Sequence, residues 1–355
     1  VRLSTILSEV ARNLATGTTR AVGLALALGV AAGALAALDA STIVGMEHDA
    51  ARYRSAAADV RTVSAPGLVD PQACDALGGS TSVQDAGALV PTTPVVPSAT
   101  PASPLQSFAV TPSLAGVLAV RSPLPEGVWM SDQLAERLGL ARGATLETDD
   151  GPLVLAGTFA WPDDGRDGRL GFAVLRPTVT NARFEECWAA AWPTTPAVED
   201  LLRGVVDVQP QSTEAITVGQ VNRSLGAAYD AHATYVARPT RYTVAACAVL
   251  GLVLGYASVR RRRLEHAGAL HAGQSRSAQL ATSSLETVVW AAVGTAMSVV
   301  GLRVVVARVG AMDPTAVFDV VVRGPVLGAL CAVVGATVAA CLVREQHLFR
   351  YFKDR

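Results

Sequence analysis

Four long apolar segments, at residues 21–41, 242–259, 287–307 and 324–343, constrain this chain more than any other feature. A helix needs roughly 20 apolar residues to cross a bilayer core, and each segment is close to that length. Only the first gap is wide, since residues 44–238 form one long polar stretch. Evenly spaced spans would make a bundle with short loops. This one-plus-three spacing predicts a bundle that carries a large domain on one side. The expected fold is an α-helical membrane protein with four transmembrane helices and a mixed α/β extracytoplasmic domain between the first and second. Composition agrees. With 50% hydrophobic residues, 17% charged residues and a mean hydropathy of +0.35, the chain is too apolar for a soluble globule. It is also too polar to lie wholly in lipid.

If the four spans alternate, residues 1–20, 260–286 and 344–355 share one side. They carry Arg2, Arg12 and Arg20, then Arg260, Arg261, Arg262, Arg263 and Arg276, then Arg344, Arg350, Lys353 and Arg355. Arginine and lysine mark the cytoplasmic side, so both termini are expected there in a multi-pass protein of the cell membrane. The expected partition is a cytoplasmic amphipathic helix at 1–20, spans at 21–43, 239–259, 287–307 and 324–343, and an exterior domain at 44–238. A cytoplasmic loop at 260–286, a short outer loop at 308–323 and a cytoplasmic tail at 344–355 complete it. The exterior stretch is acidic, with Asp163, Asp164, Asp167, Glu185, Glu186, Glu199 and Asp200 typical of it. Arg303, Arg308 and Arg323 run against the rule, and Arg303 can snorkel to the outer interface. The first apolar run is longer than the 7–15 residues of a cleaved signal's core, so it reads as a retained span. Val1 reads either as a literally translated GTG start or as a trimmed end.

Several chemistries are excluded at this level. A P-loop needs a lysine after its glycines to reach the phosphates, and the one lysine, Lys353, has no such context. The net charge of −1 is no footprint for nucleic acid. Of the five histidines, His266 and His271 are nearest one another, but their spacing does not put two ligands on one helix face. No cysteine cluster has zinc-site spacing, and no serine sits in Gly-x-Ser-x-Gly. No catalytic residue, cofactor site or metal site is therefore expected, and exterior carboxylates read as a solvated acidic surface. Asp39, near the outer end of the first span, reads as an interfacial carboxylate or as a functional bundle residue. Cys247, Cys331 and Cys341 fall in spans and behave as small apolar residues. Cys74 and Cys187 are the exterior pair, and they form either a disulfide in an oxidising compartment or two buried free thiols.

Local signals organise the rest. Leu3, Ile6, Leu7, Val10 and Leu14 share one helical face, which predicts a helix on the inner membrane surface. Gly29-x-x-x-Gly33, Gly251-x-x-x-Gly255 and Gly324-x-x-x-Gly328 let helices approach closely. Ser131 is a cap for a helix over 132–138 that stops at Gly139. Strands are expected at 145–148 and 153–159 around the turn Asp149-Asp150-Gly151, and another at 171–175 after a turn at 162–165. Thr195 and Pro196 open a helix through Leu202. Residues 91–104, with five prolines, read as a loop or an extended connection. A helix is expected over 221–235.

The loop between the second and third spans carries a sharper pattern. Its basic run, Arg260 to Arg263, is followed by Glu265, an Ala/Leu/Gly-containing stretch, Gly273 and then Glu286. In this the chain resembles the FtsX-like, MacB-type family of ABC transporter permeases. The four-span layout is similar too, as are the exterior run from Ser131 to Leu140 with Gly143, and the leading segment from Glu9 to Leu14. After the last span many MacB-type members carry Pro-Ala-x-x-Ala, where this chain reads Glu345-Gln346-His347-Leu348-Phe349-Arg350-Tyr351. The resemblance implies a permease subunit with no enzymatic site of its own, working as a homodimer or pseudo-symmetric pair in membrane lipid. It implies a separate cytoplasmic ABC ATPase that binds the ATP, coupled through Arg262, Arg263, Glu265, Gly273 and Glu286. The expected role is export or extraction of a peptide, lipid-linked or hydrophobic substrate. The alternatives are an FtsX-like signal relay controlling a cell-wall enzyme, and a membrane-anchored receptor with no ATPase partner.

Overall fold

The computed structural model describes residues 3–121, 123–207 and 216–344. The expected tail beyond Arg344, with Arg350, Lys353 and Arg355, lies outside the described residues, as do Val1 and Arg2. The chain divides into two compact units, Val1–His48 with His232–Arg355 and, between them in sequence, Asp49–Ala231.

The first unit is helical. Helix α1 is Leu3–Ala15 and α2 is Ala21–Ser55; the return from the second unit passes through α7, Ala231–Ala237. Then follow α8 (Thr243–Arg260), α9 (Arg263–His271), α10 (Arg276–Val309), α11 (Pro314–Val321) and α12 (Arg323–Leu342). Among the described residues, four helical stretches are long and apolar enough to cross a membrane, namely Ala21–Ser55, Pro239–Arg260, Arg276–Val309 and Pro314–Leu342. Each also leaves apolar side chains uncovered: Val30, Val249, Val300 and Leu330 are 60–65% exposed. Apolar faces on four helices at once require lipid around them, so this is a membrane protein.

Small residues set the packing. A Cβ built on Gly251 would fall 1.8 Å from the Gly328 carbonyl oxygen, and one on Gly255 would fall 1.8 Å from that of Ala332. Helices α8 and α12 therefore touch backbone to backbone. A Cβ on Gly29 would meet the Gly294 oxygen at 2.9 Å, and Ser298 Oγ donates to the Gly29 oxygen at 2.9 Å. In both pairs the contact positions rise together along the two chains, so α2 runs parallel to α10 and α8 parallel to α12. Parallel first and third spans, and parallel second and fourth spans, are what alternating crossings require. Trp290 fills the middle, against Ala25, Leu28, Ala32, Cys247 and Ala332.

The ends sort accordingly. At one end Glu47 accepts from the Met312 amide at 3.0 Å, and His48 Nε2 lies 3.1 Å from the Gly310 oxygen. At the other, Ala267 and Leu270 of α9 pack on Val343, while Asn13 of α1 reaches α10. Helix α1 buries Val10 and leaves Leu3 and Leu7 exposed, as a helix lying in an interface would. Two spans overrun their apolar cores. Helix α2 continues to Ser55 because residues 42–55 contain no proline. Helix α10 starts at Arg276, where Ser275 Oγ accepts from the Ala278 amide. The expected outer loop is partly helical, because Gly310 ends α10 in the left-handed region and Asp313 caps α11.

The second unit is a mixed sheet. Its strands are β1 (Val60–Val69), β2 (Asp85–Val95), β3 (Leu105–Val110), β4 (Val128–Ser131), β5 (Thr145–Leu146), β6 (Leu153–Phe159), β7 (Ala173–Pro177), β8 (Phe184–Ala190) and β9 (Thr217–Gln220). Among the described residues nine strands lie in the order β5-β6-β4-β7-β3-β2-β8-β1-β9. The remaining helices are α3 (Pro71–Ala76), α4 (Leu114–Val117), α5 (Asp132–Arg137) and α6 (Pro196–Gly204). The strand period of two puts Trp188 and Cys187 on opposite faces: Trp188 packs with Trp129, Phe159 and Trp161, and Cys187 with Ala189, Val198 and Leu202. Cys74 on α3 is bonded to Cys187 on β8, with Cα atoms 5.9 Å apart.

Ser131 caps α5 through the Leu134 amide, and Gly139 follows with φ +64°. Two expectations are corrected. Pro91 and Pro94 lie within β2 rather than in a loop. Strand β2 pairs with β8 over Asp85–Leu89 and beyond that with β3 alone, so one side of it needs no amide donor there. No helix starts at Val221. Asn222 turns inward, donating to the Ala56 oxygen and accepting from the Ser224 amide, and Gly226 takes φ +91°. This turn confines helix formation to Ala231–Ala237.

Candidate functional site

Three of the residues singled out in the loop between the second and third spans, Arg262, Glu265 and Glu286, meet in the first unit. Arg262 sits in the joint between α8 and α9, where its amide closes the last turn on the Val259 oxygen. Its side chain is only 15% exposed and serves two carboxylates. Nε donates to Glu265 Oε2 at 2.9 Å and Nη1 to Glu286 Oε2 at 2.7 Å. The other oxygen of Glu286, Oε1, accepts from Asn13 Nδ2 at 2.8 Å. One buried carboxylate thereby ties α1, the α8–α9 joint and α10. Removing one partner of such a pair strands a desolvated charge, which costs about 3–5 kcal/mol.

Two features finish the joint. His266 lies beside Arg262, and burial first, then that guanidinium, push its imidazole down to about 4; it is therefore neutral at pH 7. Gly273 takes φ +93° in the turn between α9 and α10, and a Cβ there would meet nothing within 4 Å. Backbone conformation, not space, is what demands glycine. Arg263 opens α9.

Of the five positions, Arg262, Glu265 and Glu286 converge, Gly273 shapes the following turn and Arg263 starts the helix. Glu286 was expected at the start of the third span; it lies inside α10 instead and is 5% exposed. Asn13 and His266 were not among the candidates. Nothing in a sequence pairs residues 273 positions apart; the only hint was a polar Asn beside the apolar stripe of α1.

A second buried pair closes the other end of the bundle. Arg238 Nε donates to Asp39 Oδ1 at 3.0 Å, with side chains 10% and 3% exposed. The guanidinium also lies 3.9 Å from the centre of the Tyr235 ring. Asp39 is thus a paired, buried residue of the bundle. In the second unit, Arg169 grips Glu186 with both nitrogens, at 2.6 and 2.7 Å, and Trp188 Nε1 donates to the same carboxylate. Trp161 stacks on Trp188. Arg169 Nε also lies 2.6 Å from Asp167 Oδ2, so one guanidinium serves two carboxylates. Among the described residues no group of histidine, cysteine or acidic side chains is arranged to hold a metal ion.

No protein-family model matches the sequence, and no curated protein matches it significantly. Solved structures show likeness over just under half of the chain, among them the following three. One is the periplasmic region of MacB from Actinobacillus actinomycetemcomitans, at 8% identity, covering 48% of this chain and 92% of that one, with a TM-score of 0.35. A second is the extracellular domain of the noncanonic ABC-type transporter YknZ from Gram-positive bacteria, at 10% identity over 45% and 100%, with a TM-score of 0.31. The third is a domain of a putative permease protein from Porphyromonas gingivalis, at 14% identity over 45% and 85%, with a TM-score of 0.30.

Proposed function

We propose that this chain is the membrane subunit of an ABC-type permease. In this reading a separate cytoplasmic ATPase binds ATP and drives motion of the spans and of the exterior sheet unit. The work done is export or extraction of a peptide, lipid-linked or hydrophobic substrate. The observation that carries the reading is the Glu286 junction. A short surface helix, α9, is joined by Arg262 to a buried carboxylate that also holds α1 and α10. A push on α9 from a soluble partner is therefore delivered to a membrane-crossing helix through charge-assisted hydrogen bonds rather than lost in a loose loop. The arginine content of the segments at this end supports a cytoplasmic location for it in this reading. Two such chains, identical or related, would face two ATPase copies.

The test uses the tagged full-length chain expressed in its own cell membrane. Glu265→Arg sets a cation against Arg262, and Gly273→Val forces a β-branched residue into φ +93°. Both variants should insert, because the spans are untouched. An ABC ATPase should copurify with the wild type. Each variant should lower its membrane ATP turnover by roughly fivefold or more, at the lower end of allosteric coupling energies. Normal insertion with full turnover in both variants would sink the coupling role, and absence of any ATPase from the native complex would sink the permease reading.

A further inference from the structure

A cavity of about 610 Å³ opens in the helical unit between the start of α2 and the end of α8. Its two ends differ in chemistry. Leu24 and Leu254 contribute an apolar wall at span depth, and Arg20, Arg261 and Arg262 gather at the polar mouth. Arg262 is committed to Glu265 and Glu286, but the side chains of Arg20 and Arg261 have no hydrogen-bond or ion-pair partner among the described residues. Thr19 lines the same cavity, 7% exposed, with an Oγ1 that has no hydrogen-bond partner. A buried hydroxyl left unpaired is destabilising, and a ligand oxygen beside it removes that cost. Arg20 is held at φ +52°, a conformation that non-glycine residues keep only where the surroundings impose it. The first-turn amides of α2 follow it directly. Gly23 stands on that turn with nothing within 4 Å of where a Cβ would be, so the amides are not shielded.

We propose that this cavity binds an anionic glycerophospholipid from the surrounding leaflet. The phosphate would sit between Arg20, Arg261 and the start of α2, where helix amides favour an anion. The acyl chain would run along Leu24 and Leu254. Charge selects the head group and the apolar wall selects an amphiphile over a free anion. The site stands on its own residues, so it does not depend on the permease reading.

The experiment is native mass spectrometry of the purified full-length protein in neutral detergent. It is titrated with phosphatidylglycerol, with phosphatidylcholine of the same chains, or with inorganic phosphate. Phosphatidylglycerol should remain bound at a defined stoichiometry, phosphatidylcholine should bind at least about tenfold more weakly, and phosphate should not compete at equal concentration. Arg20→Gln with Arg261→Gln should weaken phosphatidylglycerol by roughly tenfold or more, given the worth of two arginines at an anionic surface. Gly23→Leu should also weaken it by filling the mouth, and should bind phosphatidylcholine no better than the wild type. The control doublet Arg308→Gln with Arg344→Gln removes the same charge outside the cavity and should bind as the wild type does. Equal retention of both lipids, or losses shared by the control, would mean annular lipid only and overturn the site. Competition by inorganic phosphate as effective as by the lipid would make it a plain anion site and overturn the lipid assignment.

Discussion

Asp59 shows how one side chain makes the sheet unit sensitive to pH. It is 5% exposed, and burial raises its carboxyl to about 6, against the pull of Arg54 and Arg61. In the unfolded chain the group titrates near 3.8. Between those values the folded state holds the proton and the unfolded state does not. Its contribution to stability is therefore fully present below 3.8 and is lost as pH rises through about 6. Asp59→Asn removes this dependence. The variant should gain on the wild type by up to about 3 kcal/mol between pH 4 and pH 7, because each tenfold change in proton affinity is worth about 1.4 kcal/mol. Unfolding of both full-length proteins at the two pH values gives the difference, and a constant difference would refute the assignment. His266, held near 4, works in the opposite direction as pH falls from 6.5; it cancels in the comparison. Charges of this kind are partly legible beforehand. Arg262, Glu265 and Glu286 stood out because the order of basic run, Glu, Gly turn and later Glu between two spans resembles a known pattern. Asp59 did not, because nothing local distinguishes a buried aspartate from a solvated one.

At the scale of elements, the glycines of α8 and α12 act as a hard stop. Gly255→Val would put carbon 1.8 Å from a backbone oxygen that has no side-chain freedom to move away. Overpacking ordinarily costs about 1–3 kcal/mol, and a backbone neighbour puts this case at or above that upper end. Gly301→Ala, with nothing within 4 Å of the new carbon, is the contrast and should be neutral or slightly stabilising. Thermal unfolding in detergent separates them, and similar midpoints would show that α8 and α12 are not in backbone contact. The sequence carried the small residues at one-turn spacing but not their partners, because spacing on one helix says nothing about the facing one. The same limit explains the errors in the sheet unit. Capped helices and the strands around Asp149-Asp150-Gly151 follow local rules and were readable. Pro91 and Pro94 looked like loop residues because their tolerance depends on where β8 begins, a fact about a strand almost a hundred residues away.

For the whole molecule, the four spans were legible because a bilayer imposes one length on every crossing. The order of the sheet was not legible, since its pairings join distant segments. Cys74 and Cys187 close a loop with a sequence separation of 113. Chain-entropy estimates give about 4–5 kcal/mol for a loop of that size. Non-reducing peptide mapping should find the linked pair, and Cys74→Ala with Cys187→Ala should lower stability by no more than that amount. Two free thiols in protein isolated without reductant would disprove the bond. The strand order also has a consequence for biogenesis. Both neighbours of β1 come late, β8 at Phe184–Ala190 and β9 at Thr217–Gln220. At ribosomal rates of about 5–20 residues per second, β1 waits on the order of ten to thirty seconds for its last partner to be made. Through that interval its unpaired edges are a hazard for aggregation. This unit cannot grow strand by strand as it emerges; the nascent chain has to be held open until nearly all of it has been synthesised.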